Sequence, residues 1–164
     1  MNVLVTGGAG FIGSHVCEAL LNRGDSVICV DDFNDYYSPL RKEQNIAELR
    51  ENEKFSLYKA DITDFSAMKE IFKKSRIERV VHLAARAGVR SSMMRPSLYS
   101  KVNIDGTHNL LRLSAESRVK AFVFASSSSV YGERKGLFKE ADKLGDPLSV
   151  YAATKVAGEA FCSV

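Results

Sequence analysis

Tyr151 and Lys155 are four residues apart, a spacing that on a helix puts a phenol and an ammonium on one face. A free phenol titrates near pH ~10, too high for a base at neutral pH. A neighbouring ammonium favours the phenolate, and each unit of lowering takes about 1.36 kcal/mol of differential interaction. A pair so tuned is a general acid/base. By itself the spacing is common on helix surfaces; its weight comes from two other stretches. One is the serine run Ser126-Ser127-Ser128-Ser129, which follows an apolar segment at residues 120–124. The other is the glycine cluster Gly7, Gly8, Gly10 and Gly13. Gly8, Gly10 and Gly13 fit G-x-G-x-x-G, and Gly7, Gly10 and Gly13 fit G-x-x-G-x-x-G. Such a turn lets the backbone approach a pyrophosphate, and it leaves the N–H groups of the following helix facing the phosphates.

The elements around the glycines suit that use. Val3, Leu4 and Val5 form an apolar run like a buried strand, and an amphipathic helix is expected from Phe11 to about Asn22, ending at Gly24. A second buried strand at residues 27–30 ends in Asp31 and Asp32. An acid there, roughly 20 residues past the glycines, is placed to accept hydrogen bonds from the ribose hydroxyls of adenosine. Two carboxylates would repel a 2′-phosphate and no Arg immediately follows, so the cofactor expected is NAD rather than NADP. No G-K-[ST] follows the glycines, which argues against a P-loop nucleotide triphosphatase.

Farther along, Pro39 opens an expected helix through about residue 52, strongly charged on its outer face. Residues 55–58 form a third strand. Thr63-Asp64 caps a helix carrying Met68, Ile71 and Phe72. Residues 79–83 form a fourth strand, followed by Ala84 and Ala85, whose small side chains allow a ligand close to the backbone. A long helix is expected from Pro96 to about residue 117, a fifth strand at residues 120–124, a polar loop over residues 133–148 and a helix from Tyr151 onward. This alternation predicts an α/β fold, a Rossmann-type doubly wound parallel sheet, with ligands at the carboxyl ends of its strands.

Composition bounds the function class. The 164 residues carry a net charge of +3 without a Lys/Arg block, so nothing points to nucleic acid. A 45% hydrophobic fraction suits one globular domain, residues 1–164. Cys17, Cys29 and Cys162 lie in apolar segments without metal-ligand spacing, and read as reduced core residues of a cytoplasmic protein. No apolar stretch of about 18 residues exists and the chain starts directly with a strand, so no membrane anchor or signal peptide is expected. His15, His82 and His108 are scattered and read as structural. Tyr36 and Tyr37 read as packing residues or an adenosine-side wall. Tyr131 either lines a ligand site or simply packs.

Taken together, the motifs resemble the extended short-chain dehydrogenase/reductases, specifically their NAD-dependent nucleotide-sugar epimerase/dehydratase group. They are Thr6-Gly-Gly-Ala-Gly-Phe-Ile-Gly13, Asp61-Ile62, His82-Leu-Ala-Ala85, Asn103 with Gly106-Thr107, Ser126 to Gly132, and Tyr151 to Lys155. The resemblance covers essentially the whole chain. It implies that Ser127 hydrogen-bonds the sugar hydroxyl, Tyr151 removes its proton, and Lys155 binds the nicotinamide ribose and tunes Tyr151. Gly7, Gly10, Phe11, Ile12, Gly13, Asp31, Asp32 and Asn34 would hold the dinucleotide. Asp61 and Ile62 would flank the adenine, Leu83, Ala84 and Ala85 would line the cofactor, and Asn103 would support the site.

Within that group the 4,6-dehydratases carry an Asp-Glu pair just before Val-Tyr-Gly, and UDP-glucuronate decarboxylases a Glu. Ser128 and Ser129 stand there instead, which points to an epimerase. Asp32-Phe-Asn-Asp-Tyr-Tyr37, Ala87-Gly-Val-Arg90 and Tyr151-Ala-Ala-Thr-Lys155 are most similar to the UDP-glucuronate 4-epimerases, whereas Met94-Arg95-Pro96 departs from their Glu-Asn-Pro. Ser127, Ser128, Ser129 or Arg90 would then hold the UDP-sugar substrate and its carboxylate. The alternatives are a UDP-glucose/UDP-galactose 4-epimerase and an inert NAD-binding module. Members of the group run to about twice this length, so the sheet is expected to stop before its last strands and the C-terminal substrate domain. A homodimer through the helices after Pro96 and after Tyr151 is expected of the longer form.

Overall fold

Along the first strand, Val3 and Val5 point to one side and Leu4 to the other, and each side meets its own layer of helices. The structure, a computed structural model, describes residues 1–134 and 136–164. Its strands are β1 (Asn2–Thr6), β2 (Ser26–Asp31), β3 (Phe55–Lys59), β4 (Arg79–His82) and β5 (Ala121–Phe124). They form one parallel sheet in the order β3-β2-β1-β4-β5. The chain lays β2 and β3 on one side of β1, then crosses to build β4 and β5 on the other. The strand order therefore reverses between β1 and β4, and a crevice opens at the carboxyl ends there.

Helix α1 (Phe11–Asn22) sets Cys17, Leu20 and Leu21 against Val3, Val5, Val27 and Cys29. On the opposite face Leu4, Ile28, Val30 and Val80 meet Met68, Ile71 and Phe72 and, later in the chain, Leu110 and Leu113. With both faces covered, the central strands read as unbroken apolar runs rather than alternating ones. The expected doubly wound sheet is present.

Several expected helices are rearranged. The one from Pro39 stops early: α2 covers Pro39–Asn45, and Ile46 leaves helical geometry (φ −115°, ψ 6°) as its side chain becomes fully buried. A separate 3₁₀ turn follows at Glu48–Glu51. Asp64 does cap α3 (Phe65–Ser75), accepting the Ala67 N–H at 3.0 Å. A short helix absent from the sequence reading, α4 (Val89–Met94), follows Gly88, whose φ of 98° turns the chain. The run from Pro96 is not one uniform helix. It consists of α5 (Pro96–Ser100), a π turn at Lys101–Asp105 and α6 (Gly106–Glu116). Helix α7 (Val150–Cys162) starts at Ser149, whose hydroxyl accepts the Ala152 N–H at 3.0 Å.

Cys17 and Cys29 are buried as expected, and the Cys29 thiol is pushed up by the neighbouring Cys17 thiol and by burial. Cys162 is not a core residue: it lies exposed on the last turn of α7. Val123 of β5 is 57% exposed at the edge of the sheet. Among the described residues no helix is long and apolar enough to cross a membrane.

Candidate functional site

The glycine turn closes against the two strands beside it. Gly7, at φ 68°, donates its N–H to the Val30 carbonyl at 2.7 Å, and Gly10 donates to the Gly7 carbonyl at 3.0 Å. A Cβ on Gly7 would lie 2.9 Å from the Ala84 nitrogen. A Cβ on Gly13 would lie 2.7 Å from the Gly8 Cα and closer still to the Gly7 carbonyl oxygen. Neither position tolerates a side chain, so helix α1 starts directly under the turn. Among the described residues no side chain caps it, and its first N–H groups stay available to an anion.

A cleft of about 650 Å³ opens beside the turn. It gathers Gly7, Gly10, Asp31, Asp32, Asn34, Asp61, Ile62, Leu83, Ala84 and Ala85, all picked out in the sequence, and Tyr36 and Tyr37 wall it. Phe11 and Ile12 are exposed on the first turn of α1 and do not line it, and Gly13 packs behind the turn. Among the described residues the Tyr37 hydroxyl is buried without a hydrogen-bond partner, 3.4 Å from where a Gly10 Cβ would be. Burial pushes that phenol up, with the Lys42 charge opposing.

Two cations in this cleft were missed by the sequence reading. Lys42 of α2 is 4% exposed and donates to Asp31 Oδ1 at 2.9 Å. Asp31 also accepts Phe33 N–H at 2.9 Å and Ala9 N–H at 3.2 Å. Its carboxylate is thus largely committed to tying the glycine turn, the loop after β2 and α2 together. Arg86, after β4, donates to Asn34 Oδ1 at 3.1 Å. A usable signal for Lys42 was its i,i+4 spacing from the buried Ile46, which places both on the inward face of that turn.

At the other end of the crevice a buried hydrogen-bond chain ties the sheet to α7. Ala84 N–H donates to Thr6 Oγ1 at 3.3 Å, and the Thr6 hydroxyl donates to His82 Nδ1 at 2.7 Å. Thr107 donates its hydroxyl to the Asn103 carbonyl at 2.6 Å, so it accepts from His82 Nε2 at 2.9 Å, which fixes the neutral tautomer. Burial, with the Lys155 charge adding to it, holds His82 down to about 3. This agrees with its structural reading. Asn103, on the π turn, clamps the Arg86 backbone through both amide atoms at 2.7 and 3.1 Å, and donates to Thr154 Oγ1 at 3.0 Å. Thr154 in turn donates to the Tyr151 carbonyl at 2.7 Å. Asn103 therefore lies beneath the crevice and does not line it.

Lys155 is 4% exposed, donates to the Ala125 carbonyl at 2.7 Å, and lies 4.7 Å from the Phe124 ring centroid and 5.9 Å from that of Tyr151. Burial lowers its ammonium to about 8. Ser127 caps a 3₁₀ turn, Ser128–Tyr131, through its contacts with the Ser129 N–H at 3.2 Å and the Ser129 hydroxyl at 3.0 Å. Ser126, Ser127, Ser128 and Tyr131 line a second cleft with Phe138, Lys139, Glu140 and Glu159. Among the described residues no hydrogen bond joins Ser127 to Tyr151. Arg90, on α4, is exposed and lines neither the dinucleotide cleft nor the serine-loop cleft. His15 and His108 lie outside both clefts, beside Phe11 and Phe161.

Comparison with known proteins follows the same lines. The family described as GDP-mannose 4,6 dehydratase matches residues 4–164. A UDP-glucuronate 4-epimerase of Thermodesulfobacterium geofontis is 49% identical over 156 residues, covering 95% of this chain and 48% of the relative. UDP-glucuronate 4-epimerase 4 of Arabidopsis thaliana is 48% identical, covering 97% of this chain and 37% of the relative. The crystal structure of a Bacillus cereus UDP-glucuronic acid 4-epimerase, in complex with UDP-glucuronic acid and NAD, superposes with a TM-score of 0.89 at 39% identity. That match covers 99% of this chain and 51% of the other. The chain thus spans about half or less of the length of these relatives. The glycine turn, the strand order and the helix of Tyr151 and Lys155 agree with the match. The chain belongs to the GDP-mannose 4,6 dehydratase family, within the nucleotide-sugar epimerase and dehydratase group of the extended short-chain dehydrogenase/reductases.

Proposed function

We propose that these residues form the cofactor-binding half of an NAD-dependent nucleotide-sugar 4-epimerase that interconverts UDP-glucuronate and UDP-galacturonate. The observation that carries this is the placement of two sites on one crevice. The uncapped α1 turn and the Tyr151–Lys155 helix both stand at the carboxyl end of the same sheet, on either side of β4. The names of the similar proteins support the substrate. So do Ser128 and Ser129, which offer no carboxylate to drive water loss.

The cofactor fits the site on its own geometry. The Gly7–Gly13 turn excludes side chains where a pyrophosphate would approach, and the α1 N–H groups face it. When bound, NAD supplies reversible uptake of hydride from C4 of the sugar. Tyr151 takes the C4 hydroxyl proton and returns it after the ring has turned its other face. Ser127 holds that hydroxyl. Lys155 uses one of its three N–H donors on the Ala125 carbonyl, leaving two for the ribose of the nicotinamide. With its ammonium at about 8, Lys155 stays mostly charged at neutral pH. Turnover is proposed for the full-length protein, and cofactor binding for these 164 residues. The full-length protein is proposed to be a cytosolic homodimer paired through the run from Pro96 and through α7.

The test is chromatography of UDP-glucuronate incubated with the full-length protein and no added NAD. UDP-galacturonate is expected, and Tyr151→Phe should lower the rate roughly 100-fold or more. Conversion of UDP-glucose alone would overturn the substrate. Undiminished turnover by Tyr151→Phe would overturn the mechanism.

A further inference from the structure

Helix α7 and the exit of β5 are joined at three consecutive residues. Phe124 faces Gly158, where a Cβ would run into the ring. The Ala125 carbonyl accepts from Lys155 Nζ at 2.7 Å. The Ser126 hydroxyl donates to Glu159 Oε1. Lys155 and Glu159 are four residues apart on one helix, a spacing at which a cation and a carboxylate ordinarily pair with each other. Here each reaches the strand exit instead. Glu159 also stands in the last turn of α7, where the helix dipole disfavours a carboxylate. Its own helix gives it little, and its contact is with the loop that carries Ser127.

That contact matters because of the residue after Ser126. Adjacent Cα atoms lie about 3.8 Å apart, so a fixed Ser126 leaves Ser127 little room to travel. Among the described residues the Ser127 hydroxyl meets only the Ser129 N–H at 3.2 Å and the Ser129 hydroxyl at 3.0 Å. These contacts set the shape of the turn, not its place relative to Tyr151. The place is set by Lys155 and Glu159, which ride on the same helix as Tyr151, about one and two turns further on. Glu159 lines the serine-loop cleft together with Ser126, Ser127 and Ser128.

We propose that Glu159 is a positioning residue for the epimerisation: by holding Ser126 it fixes the serine loop to the helix of Tyr151, so that Ser127 and Tyr151 meet the same sugar hydroxyl. This rests on the epimerase reading of the crevice. Ser126 is then the anchor of the loop, and it is Ser127 that faces the sugar. A misplacement of about 1 Å between such groups can cost roughly 100-fold in rate, so a lost anchor should be read in turnover.

The experiment compares turnover of UDP-glucuronate by the full-length protein and its variants, alongside amide hydrogen exchange in the 164-residue chain. Glu159→Ala and Ser126→Ala should each lower kcat roughly 10-fold, with KM and bound NAD nearly unchanged. Glu159→Gln keeps an oxygen for the Ser126 hydroxyl and should recover most of the loss. The two Ala changes combined should cost little more than either alone, because both break one contact. In the 164-residue chain, Glu159→Ala should speed exchange of the Ser129 and Val130 amides roughly 10-fold while the α7 amides stay protected. Ser126 is exposed, so Ser126→Ala carries the same test should Glu159→Ala fail to fold. Unchanged kcat in the Ala variants, additive losses in the double variant, or a loss confined to KM or to NAD content overturns the proposal. Absence of turnover by the original full-length protein would instead overturn the epimerase reading. The exchange rates then decide whether Glu159 holds the loop, and unchanged rates at Ser129 and Val130 overturn that too.

Discussion

The two ends of the crevice are built differently. On the β1–β2 side, the turn, the loop after β2 and α2 converge on one buried carboxylate, Asp31, which accepts from Ala9, Phe33 and Lys42. On the β4–β5 side, among the described residues, Ser127 bonds only within its own turn, and Lys155 to a backbone carbonyl. Val123 is exposed at the sheet edge beside them. The β1–β2 side holds its shape through contacts among its own residues. The β4–β5 side fixes the backbone under Tyr151, through Asn103 and Thr154, but among the described residues no hydrogen bond joins the side chains of Ser127, Tyr151 and Lys155 to one another. On the proposed function, cofactor binding would belong to these 164 residues, whereas the chemistry would need the bound sugar to bring its groups together.

The largest expected effect breaks the β1–β2 side. Gly13→Val would force a side chain into the Gly7 carbonyl, costing roughly 3 kcal/mol or more of stability and abolishing NAD binding, read by thermal unfolding and calorimetry. The next sharpens the contrast from the β4–β5 side. Burying the Lys155 ammonium works against folding, so Lys155→Met should stabilise the chain by about 2 kcal/mol at pH 7 in urea unfolding while removing turnover from the full-length protein. The folded-state value is lowered, so the unfolded chain binds more protons between pH 8 and 10.5 and wild-type stability rises across that window. The advantage of Lys155→Met should shrink there. The last effect, similar in size but spread over two pH units, lies between the two ends. His82 is held at about 3 against 6.5, so its contribution is present at neutral pH and fades as pH falls below 6.5. Lowering pH from 7 to 5 should remove about 2 kcal/mol through His82, and His82→Gln should flatten that part of the profile.

Much of this was legible in the sequence, for a physical reason. Strands buried on both faces are unbroken apolar runs, and Val3–Val5 and residues 27–30 announced themselves as such. The glycines were legible because no other residue fits under that turn. What stayed hidden depends on tertiary partners. The π turn is held by Asn103 reaching Arg86 and Thr154, residues 17 and 51 positions away. Lys42 looked like one more surface charge on a charged helix, and its burial follows from Asp31 across the loop. Arg86 belongs to no local motif, its place in the cleft being set by the Asn103 clamp on its backbone, and Arg90, four residues on, falls outside the dinucleotide and serine-loop clefts on a short helix without a periodic signal. Cys162 was misplaced because an apolar segment at the end of a helix need not be covered.

The most direct test of the division between the two sides is calorimetry of the 164-residue chain with NAD and, separately, with UDP-glucuronate. NAD should bind one to one, at roughly micromolar affinity, and UDP-glucuronate should give no measurable heat. Binding of the nucleotide sugar without NAD would contradict the account, because it would place the preformed site on the wrong side of the crevice.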